Sequence, residues 1–287
     1  MRPNKNTPTE TYKAGGKKVW VKREDLQGDD EDLPPWGKLL YVRKLIQTLP
    51  DDRPVVALNV YGSWAGWALS AFCKEADIEC HVCHPNTKLI HPDYLGKIEE
   101  NGAKLISFRP NMMRVLYAQM KNYATKDNDY QLLPYAFNCG TYLKALAGRA
   151  YTYLNDSDVK FSNLVVSSGS GVSTTALTKA FLKYNPKGKV YAPPVSSPKS
   201  VLTLMRQRGI ESNSNIIVPE KNYEFNNLLI DKTPPFPCNQ FWDKKAWLWL
   251  EDNIADLKGK TLFWNLGGVN TFVYPYRSVP GAKYVTK

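Results

Sequence analysis

The sequence predicts an α/β protein with two lobes, each with a mainly parallel sheet covered by helices. Three observations carry this prediction. From Val55 onwards, short apolar runs alternate with helical stretches, which is typical of strand–helix–strand units that cover both faces of a parallel sheet. The alternation occurs in two series. The length of 287 residues and the 43% hydrophobic content are sufficient for two moderate globular domains.

The strands are predicted from alternation or from short apolar runs. Residues 17–22 alternate between polar and apolar side chains, whereas the later runs are apolar and indicate strands buried on both faces. The later strands are predicted at 55–60, 79–83, 104–108, 165–166, 189–192, 216–219 and 261–265. Residues 1–18 are polar and lysine-rich and are predicted to form a loose arm.

The helices are predicted from apolar spacing and from proline or glycine at their ends. The first follows Pro35-Trp36-Gly37 and stops at Pro50. The predicted helices are 38–49, 67–76, 92–101, 112–124, 142–154, 174–184 and 245–257.

Charge and composition limit the classes of function. The formal net charge of +11 suits a polyanionic partner such as nucleic acid, although a basic but unspecialised surface gives the same number. No apolar run spans a bilayer, and the N-terminus lacks a secretory signal. We therefore expect a cytoplasmic protein without a membrane partner.

Five cysteines indicate free thiols. Cys80-His81-Val82-Cys83-His84 matches the pattern for haem c attachment. On a strand, Cys80 and Cys83 point to opposite faces of the sheet. We therefore predict neither haem nor a metal there.

The stretch from Val165 to Ala176 predicts a binding site for an anion. A strand leads into Ser167-Ser168-Gly169-Ser170-Gly171, and a helix follows. Backbone N–H groups and the helix dipole converge on such a turn, and the hydroxyls of Ser170, Ser173, Thr174 and Thr175 are additional donors. An ordinary turn is the alternative, because neither the dinucleotide nor the P-loop fingerprint is present.

Four stretches, taken in order, resemble the fold-type II pyridoxal-phosphate (PLP) enzymes of the tryptophan synthase beta superfamily, in particular 1-aminocyclopropane-1-carboxylate deaminase and D-cysteine desulfhydrase. Lys22-Arg23-Glu24-Asp25-Leu26 is similar to the family's opening motif, and Arg43-Lys44-Leu45 is similar to its lysine-bearing helix. The Ser168–Ala176 loop resembles its phosphate cradle, and Leu266-Gly267-Gly268 resembles its C-terminal turn. The resemblance implies that residues 1–45 and 151–287 form a larger PLP-binding domain and that residues 46–150 form a smaller α/β domain. It also implies a homodimer.

The resemblance implies a set of cofactor-binding residues. Residues Gly169, Ser170, Gly171, Val172, Ser173, Thr174 and Thr175 are expected to hold the cofactor phosphate. Tyr41, which has no amine, occupies the position of the family's lysine. A neighbouring lysine is therefore expected to bond to the cofactor aldehyde: Lys38, with Lys44 as the alternative. Asp243, in Phe241-Trp242-Asp243-Lys244-Lys245, is expected to face the pyridine nitrogen. An exposed acid at a helix start is the other interpretation.

The segment Ser63-Trp64-Ala65-Gly66 stands where the family has Ser-Asn-His-Thr. Ser63 is expected to contact the substrate carboxylate or to move a proton, or else to cap the next helix. Trp64 replaces the asparagine that contacts the cofactor oxygen, and an indole N–H donates but does not accept. This departure puts the family's ordinary deaminase reaction in doubt.

The resulting prediction is a PLP-dependent lyase, deaminase or decarboxylase that breaks a bond at the α-carbon of an amino acid. Virus-encoded relatives of this fold are associated with building modified thymine bases. Together with the charge, this favours an amino acid attached to DNA, and a host-cytoplasmic location if the protein is viral. The alternatives are a lyase acting on a small free amino acid and a non-catalytic relative that binds nucleic acid.

Overall fold

A computed structural model of the protein describes residues 6–28, 32–50, 53–126, 129–210, 214–220 and 232–272. The chain divides into two compact units. Among the described residues, the larger unit comprises those within 6–26 and 140–269, and the smaller unit comprises those within 27–139 and 270–272. Each unit has a sheet accompanied by helices, so the predicted two-lobed α/β class is confirmed.

The described residues form ten strands and eight α-helices. The strands are β1 (Thr9–Ala14), β2 (Lys17–Arg23), β3 (Val55–Leu58), β4 (Cys80–Pro85), β5 (Lys104–Phe108), β6 (Gln131–Leu132), β7 (Asn163–Val165), β8 (Lys189–Tyr191), β9 (Ile216–Ile217) and β10 (Thr261–Asn265). The helices are α1 (Leu39–Gln47), α2 (Ala65–Glu75), α3 (Pro92–Glu100), α4 (Met113–Lys126), α5 (Gly140–Asp156), α6 (Val172–Tyr184), α7 (Pro198–Gln207) and α8 (Asp243–Asn253).

The smaller unit has a four-stranded parallel sheet in the order β5-β4-β3-β6. Its central strands β3 and β4 are buried along their whole length, as expected of parallel strands covered on both faces. Leu116 and Met120 of α4 belong to the same buried cluster as Val56 and Leu58 of β3. Cys83 lies on β4 as predicted, and burial raises the pKa of its thiol to about 12.

The larger unit has a six-stranded sheet in the order β1-β2-β10-β7-β8-β9. Only the β1–β2 pair is antiparallel; the other neighbours run parallel. Trp247 of α8 is fully buried against this sheet, and its ring meets Phe236 and Phe263 edge-on at 4.8 and 5.3 Å. Aromatic packing of this kind stabilises the core beyond the area that it buries.

The structure differs from the sequence prediction in three elements. Residues 9–14 form strand β1 rather than a loose arm, because a two-residue turn brings them back along β2. Helix α7 and the short strand β6 were not predicted. In the described residues, no helix is long and apolar enough to cross a bilayer.

The division of the chain also differs from the predicted boundaries at residues 45 and 150. Residues 27–45 belong to the smaller unit because α1 packs against α2. Residues 140–150 belong to the larger unit because α5 packs along α6.

Candidate active site

The predicted anion loop lies in the larger unit between β7 and α6. Gly171 is the N-cap of α6, and the first helical hydrogen bond runs from the Thr175 N–H to the Gly171 carbonyl at 2.9 Å. The N–H groups of Val172, Ser173 and Thr174 therefore have no acceptor one turn back in the helix. Together with the dipole of this 13-residue helix, they have the arrangement that favours binding of an anion.

Two glycines of the loop are required by its geometry. Gly171 has φ +72°, a left-handed conformation that favours glycine. A Cβ atom at Gly169 would lie 2.7 Å from Nε1 of Trp242. The absence of a side chain at Gly169 thus allows the indole of Trp242 to pack directly against the loop.

The threonine hydroxyls of the loop have a different role from the predicted one. Thr174 Oγ1 donates to the Ser167 carbonyl at 3.0 Å, and Thr175 Oγ1 donates to the Gly171 carbonyl at 2.7 Å. Ser173 Oγ lies 3.3 Å from the Tyr142 hydroxyl. Since a hydroxyl has one proton to donate, Thr174 offers an anion its backbone N–H group instead, whereas the N–H of Thr175 is already bonded to the Gly171 carbonyl.

Ser168 adds an unsatisfied donor beside this loop. Its side chain is fully buried, and its hydroxyl has no partner among the residues that the structure describes. Buried polar atoms in native proteins are normally hydrogen-bonded. An orphan hydroxyl next to converging N–H groups fits the phosphate end of pyridoxal phosphate.

Asp243 lies close to the same loop at the first turn of α8. It is 2% exposed, and Ser167 Oγ donates to its Oδ1 at 2.9 Å. Burial raises the pKa of Asp243 to about 7, and the Asp25 carboxylate adds to this rise, while the hydrogen bond from Ser167 opposes it. A carboxyl in this setting is poised to bind a cationic N–H group, whose charge would lower the pKa again.

Residues of the opening motif form a buried network of an ion pair and hydrogen bonds in the same unit. Arg23 Nη2 pairs with Asp25 at 2.7 Å, and Asn265 Nδ2 donates to Asp25 Oδ1 at 2.8 Å. Burial raises the pKa of Asp25, against the effect of the Arg23 guanidinium. The sequence did not reveal Asn265 as a member of this network.

The two candidate lysines lie in the smaller unit and differ in burial. Lys38 immediately precedes α1, is half-buried, and has its Nζ 5.5 Å from the ring of Trp36. Lys44 is exposed in the last turn of the helix. Tyr41, at the position of the family's lysine, is buried and one turn from Lys38.

Ser63 and Trp64 form the turn before α2 in the smaller unit. Ser63 Oγ accepts a hydrogen bond from the Ala65 N–H at 3.1 Å, so it caps the chain locally. Trp64 is 2% exposed and packs edge-on against Trp67 and Phe272, at 6.0 and 6.2 Å. Its indole N–H has no partner within the described part of the chain.

Asn59, which the sequence analysis missed, organises this turn. Its Oδ1 accepts from the Gly66 N–H at 3.0 Å and from the Tyr94 hydroxyl at 3.1 Å. Asn59, Ser63, Tyr94 and Asn270 line a small pocket in the unit. The available signal was a polar residue directly after a buried parallel strand, which is where ligands bind in α/β proteins.

The structure therefore brings together two groups of predicted residues. In the larger unit, residues 169–175 and Asp243 are joined through Ser167. In the smaller unit, Ser63 and Trp64 share the turn that Asn59 holds. Lys38 lies in the same unit, at the start of a different helix.

Comparisons with known proteins give one curated relative and many structural neighbours. No family model matches the sequence. The glycyl-dTMP PLP-dependent decarboxylase of Pseudomonas phage M6 is 28% identical over 281 residues, covering 91% of this chain and 98% of the relative.

Among solved structures, a homologue of 1-aminocyclopropane-1-carboxylate (ACC) deaminase has a TM-score of 0.71 and 15% identity, covering 93% of this chain and 91% of its own. A hydrogen sulfide-producing enzyme from Fusobacterium nucleatum has a TM-score of 0.67 and 16% identity, covering 92% of this chain and 95% of its own. These findings confirm the resemblance that the motifs predicted. The chain has the fold of the fold-type II pyridoxal-phosphate enzymes.

Proposed function

We propose that this protein is a PLP-dependent enzyme that breaks a bond at the α-carbon of an amino acid attached to a thymidine nucleotide, and that it releases the carboxylate as CO2. The observation that carries the proposal is the buried Asp243 carboxyl beside the glycine loop at the start of α6. The name of the phage relative, a glycyl-dTMP decarboxylase, supports the choice of substrate and bond.

The larger unit supplies the residues that hold the cofactor. When bound, pyridoxal phosphate supplies an aldehyde that condenses with an amine and a ring that accepts the electron pair of a broken α-carbon bond. The N–H groups of residues 172–174 would bind its phosphate, with the Ser168 hydroxyl as a further donor. Asp243 would keep a proton on the ring nitrogen by accepting its hydrogen bond.

The smaller unit supplies the amine and the contacts for the amino acid. Lys38 Nζ would hold the cofactor through its aldehyde, and the free Lys38 amine would move protons at the α-carbon of the substrate. Ser63 Oγ contacts the substrate carboxylate. Lys38 is half-buried, whereas Lys44 is exposed, and this difference supports Lys38 for the role.

The replacement of the family's asparagine by Trp64 supports decarboxylation rather than deamination. The Trp64 side chain belongs to an aromatic group with Trp67, Tyr94 and Phe272. An aromatic wall solvates a carboxylate poorly and neutral CO2 well, so it favours the loss of charge at that position.

The reaction is tested by measuring CO2 release from labelled substrates in the presence of PLP. We expect the protein to decarboxylate a thymidine nucleotide that carries glycine, and not free glycine. Ammonia or sulfide release from ACC or D-cysteine instead would identify a lyase for small free amino acids. A protein that binds PLP with none of these activities would refute the catalytic proposal and favour the non-catalytic alternative.

A row of lysines on the larger unit favours a substrate carried on DNA. Lys13 lies directly opposite Lys18 in the pairing of β1 with β2. Lys260 immediately precedes Thr261, which lies opposite Val19 in the pairing of β10 with β2. Lys18 and Lys260 lie on the same face, because their Nζ atoms are 4.9 and 5.8 Å from the ring of Trp20.

The positive charges of these three lysines are not neutralised by a neighbouring carboxylate. None of the three has an ion-pair partner among the residues that the structure describes. Like charges directly opposite each other destabilise a sheet, and neighbouring strands are only about 4.8 Å apart. A phosphate backbone laid across the row would relieve this repulsion.

Replacing all three lysines by glutamine is expected to weaken binding to duplex DNA. The slope of log affinity against log salt should become shallower by about 2 to 3, the value for losing up to three phosphate contacts. Glutamine at Lys121, Lys144 and Lys199, which are also exposed, is the matched control for net charge. Equal loss in both triple variants, or no DNA binding by the wild type at low salt, would contradict a role for the row.

A further inference from the structure

Arg208 reaches from the end of α7 to the loop that precedes α6. It follows the last residue of α7, and its Nη1 donates to the Ser170 carbonyl at 2.8 Å and to the Leu204 carbonyl at 3.2 Å. The carbonyl of Arg208 accepts a hydrogen bond from Lys179 Nζ of α6 at 2.7 Å. Both ends of the residue are therefore attached to neighbouring elements of the larger unit.

The bond to the Ser170 carbonyl fixes the orientation of one peptide group. The Ser170–Gly171 peptide is trans, so its N–H points in the direction opposite to its C=O. Because the carbonyl points at Arg208, the Gly171 N–H points away from Arg208. No acceptor is recorded for this N–H within the described part of the chain, and it immediately precedes the N–H groups of residues 172–174.

The guanidinium also brings a positive charge close to the loop backbone. A Cβ atom at Gly171 would lie 3.1 Å from Arg208 Nη1. Arg208 is half-buried, and although burial lowers its pKa, arginine stays protonated in proteins. A charge at this distance, partly shielded from water, favours an anion at the loop.

We propose that Arg208 is a positioning residue for the phosphate site: it holds the Ser170–Gly171 peptide with its N–H turned towards the anion and adds a positive charge behind the loop. This inference rests on the proposed function, in which the loop before α6 and the N–H groups of residues 172–174 bind the cofactor phosphate. Turning this peptide over would replace an N–H donor at the anion by a carbonyl oxygen, which repels it.

Three substitutions separate the two contributions of Arg208. R208M removes both the hydrogen bond and the charge, R208Q keeps a donor without the charge, and R208K keeps the charge with a single donor group. R206M is the matched control, because Arg206 lies in the last turn of α7, two residues before Arg208, and is exposed. Thermal unfolding of each variant identifies any that fails to fold. If R208M fails to fold, R208K still tests the proposal.

The readout is the dissociation constant of PLP relative to that of pyridoxal, which lacks the phosphate. For R208M we expect PLP to bind about 30- to 100-fold more weakly, from the loss of one charge-assisted hydrogen bond and one nearby charge. Pyridoxal should change less than about twofold, since it makes no contact that depends on the peptide orientation. R208Q and R208K should fall between R208M and the wild type, and the 31P resonance of bound PLP should shift in R208M and not in R206M.

Two contrary results have different meanings. If R208M weakens PLP and pyridoxal equally, or weakens neither, the role of Arg208 is refuted while the proposed function stands. If the wild type itself shows no preference for PLP over pyridoxal, the phosphate loop and the role of Arg208 are refuted together.

Discussion

Lys38→Ala is expected to abolish the covalent attachment of pyridoxal phosphate and to reduce turnover by about 10³-fold or more, as the loss of a covalent catalyst does. The amine of Lys38 is half-buried at the start of α1, beside the ring of Trp36. The measurement is the visible absorbance of the lysine–cofactor bond in the purified, reconstituted protein, together with the rate of CO2 release.

Lys44→Ala is the matched control, because this lysine lies on α1, the helix that Lys38 precedes, and is exposed in its last turn. Its absorbance and turnover should equal those of the wild type. Loss of the band in Lys44→Ala, with the band retained in Lys38→Ala, would reverse the assignment.

A buried lysine elsewhere provides a second comparison. Lys22 is 6% exposed, and burial lowers its pKa to about 8. Its Nζ is already engaged by the Thr7 carbonyl and lies 4.5 Å from the ring of Tyr153. A lowered pKa alone would point to Lys22, whereas its contacts indicate a role in the core.

Asp243→Asn is expected to reduce turnover by about 10²- to 10⁴-fold, because an amide cannot keep the ring nitrogen protonated. Asparagine preserves the shape of the side chain and can still accept the hydrogen bond from Ser167. Binding of the cofactor phosphate should be little affected. Wild-type turnover in Asp243→Asn would exclude Asp243 as the partner of the ring nitrogen.

The same substitution has a pH-dependent effect on the stability of the protein without cofactor. The folded-state pKa of Asp243, about 7, is higher than the value of about 3.9 for an unfolded chain. The folded state therefore binds the proton more tightly, and the stability that this gives is present at low pH and lost as the pH rises through 7. Between pH 5 and pH 8 the loss amounts to about 2 to 3 kcal/mol.

The difference in thermal midpoint between wild type and Asp243→Asn isolates this contribution, because the other titrating groups are common to both. We expect the wild type to lose about 3 to 5 °C relative to the variant between pH 5 and pH 8. The loss should shrink when the cofactor is bound, since its cationic ring lowers the pKa of Asp243. A pH-independent difference would mean that Asp243 does not titrate in this range, which would contradict its raised pKa.

Local patterns were sufficient to predict most elements of the fold. Strands β5 and β10 were predicted at 104–108 and 261–265, and both have these bounds in the structure. Strand β1 was missed because its polar residues pair through a hairpin on the edge of the sheet. Edge strands carry weaker apolar patterns than central ones.

The candidate site was predictable where the residues that form it are consecutive. The glycine loop before α6 is one continuous segment, and its anion-binding chemistry follows from a strand, small residues and a helix start. The contacts of Ser167 with Asp243 and of Arg208 with Ser170 join positions 76 and 38 apart. No periodicity in the sequence records such pairs, so these residues required the structure.

The attachment site of the cofactor is measured by reducing the PLP-loaded protein with borohydride and analysing its peptides by mass spectrometry. We expect the mass of the pyridoxyl group on the peptide that contains Lys38, and on no other lysine. A label confined to Lys44, Lys22 or Lys245, or a protein that retains no label, would contradict the central claim that Lys38 bonds to pyridoxal phosphate.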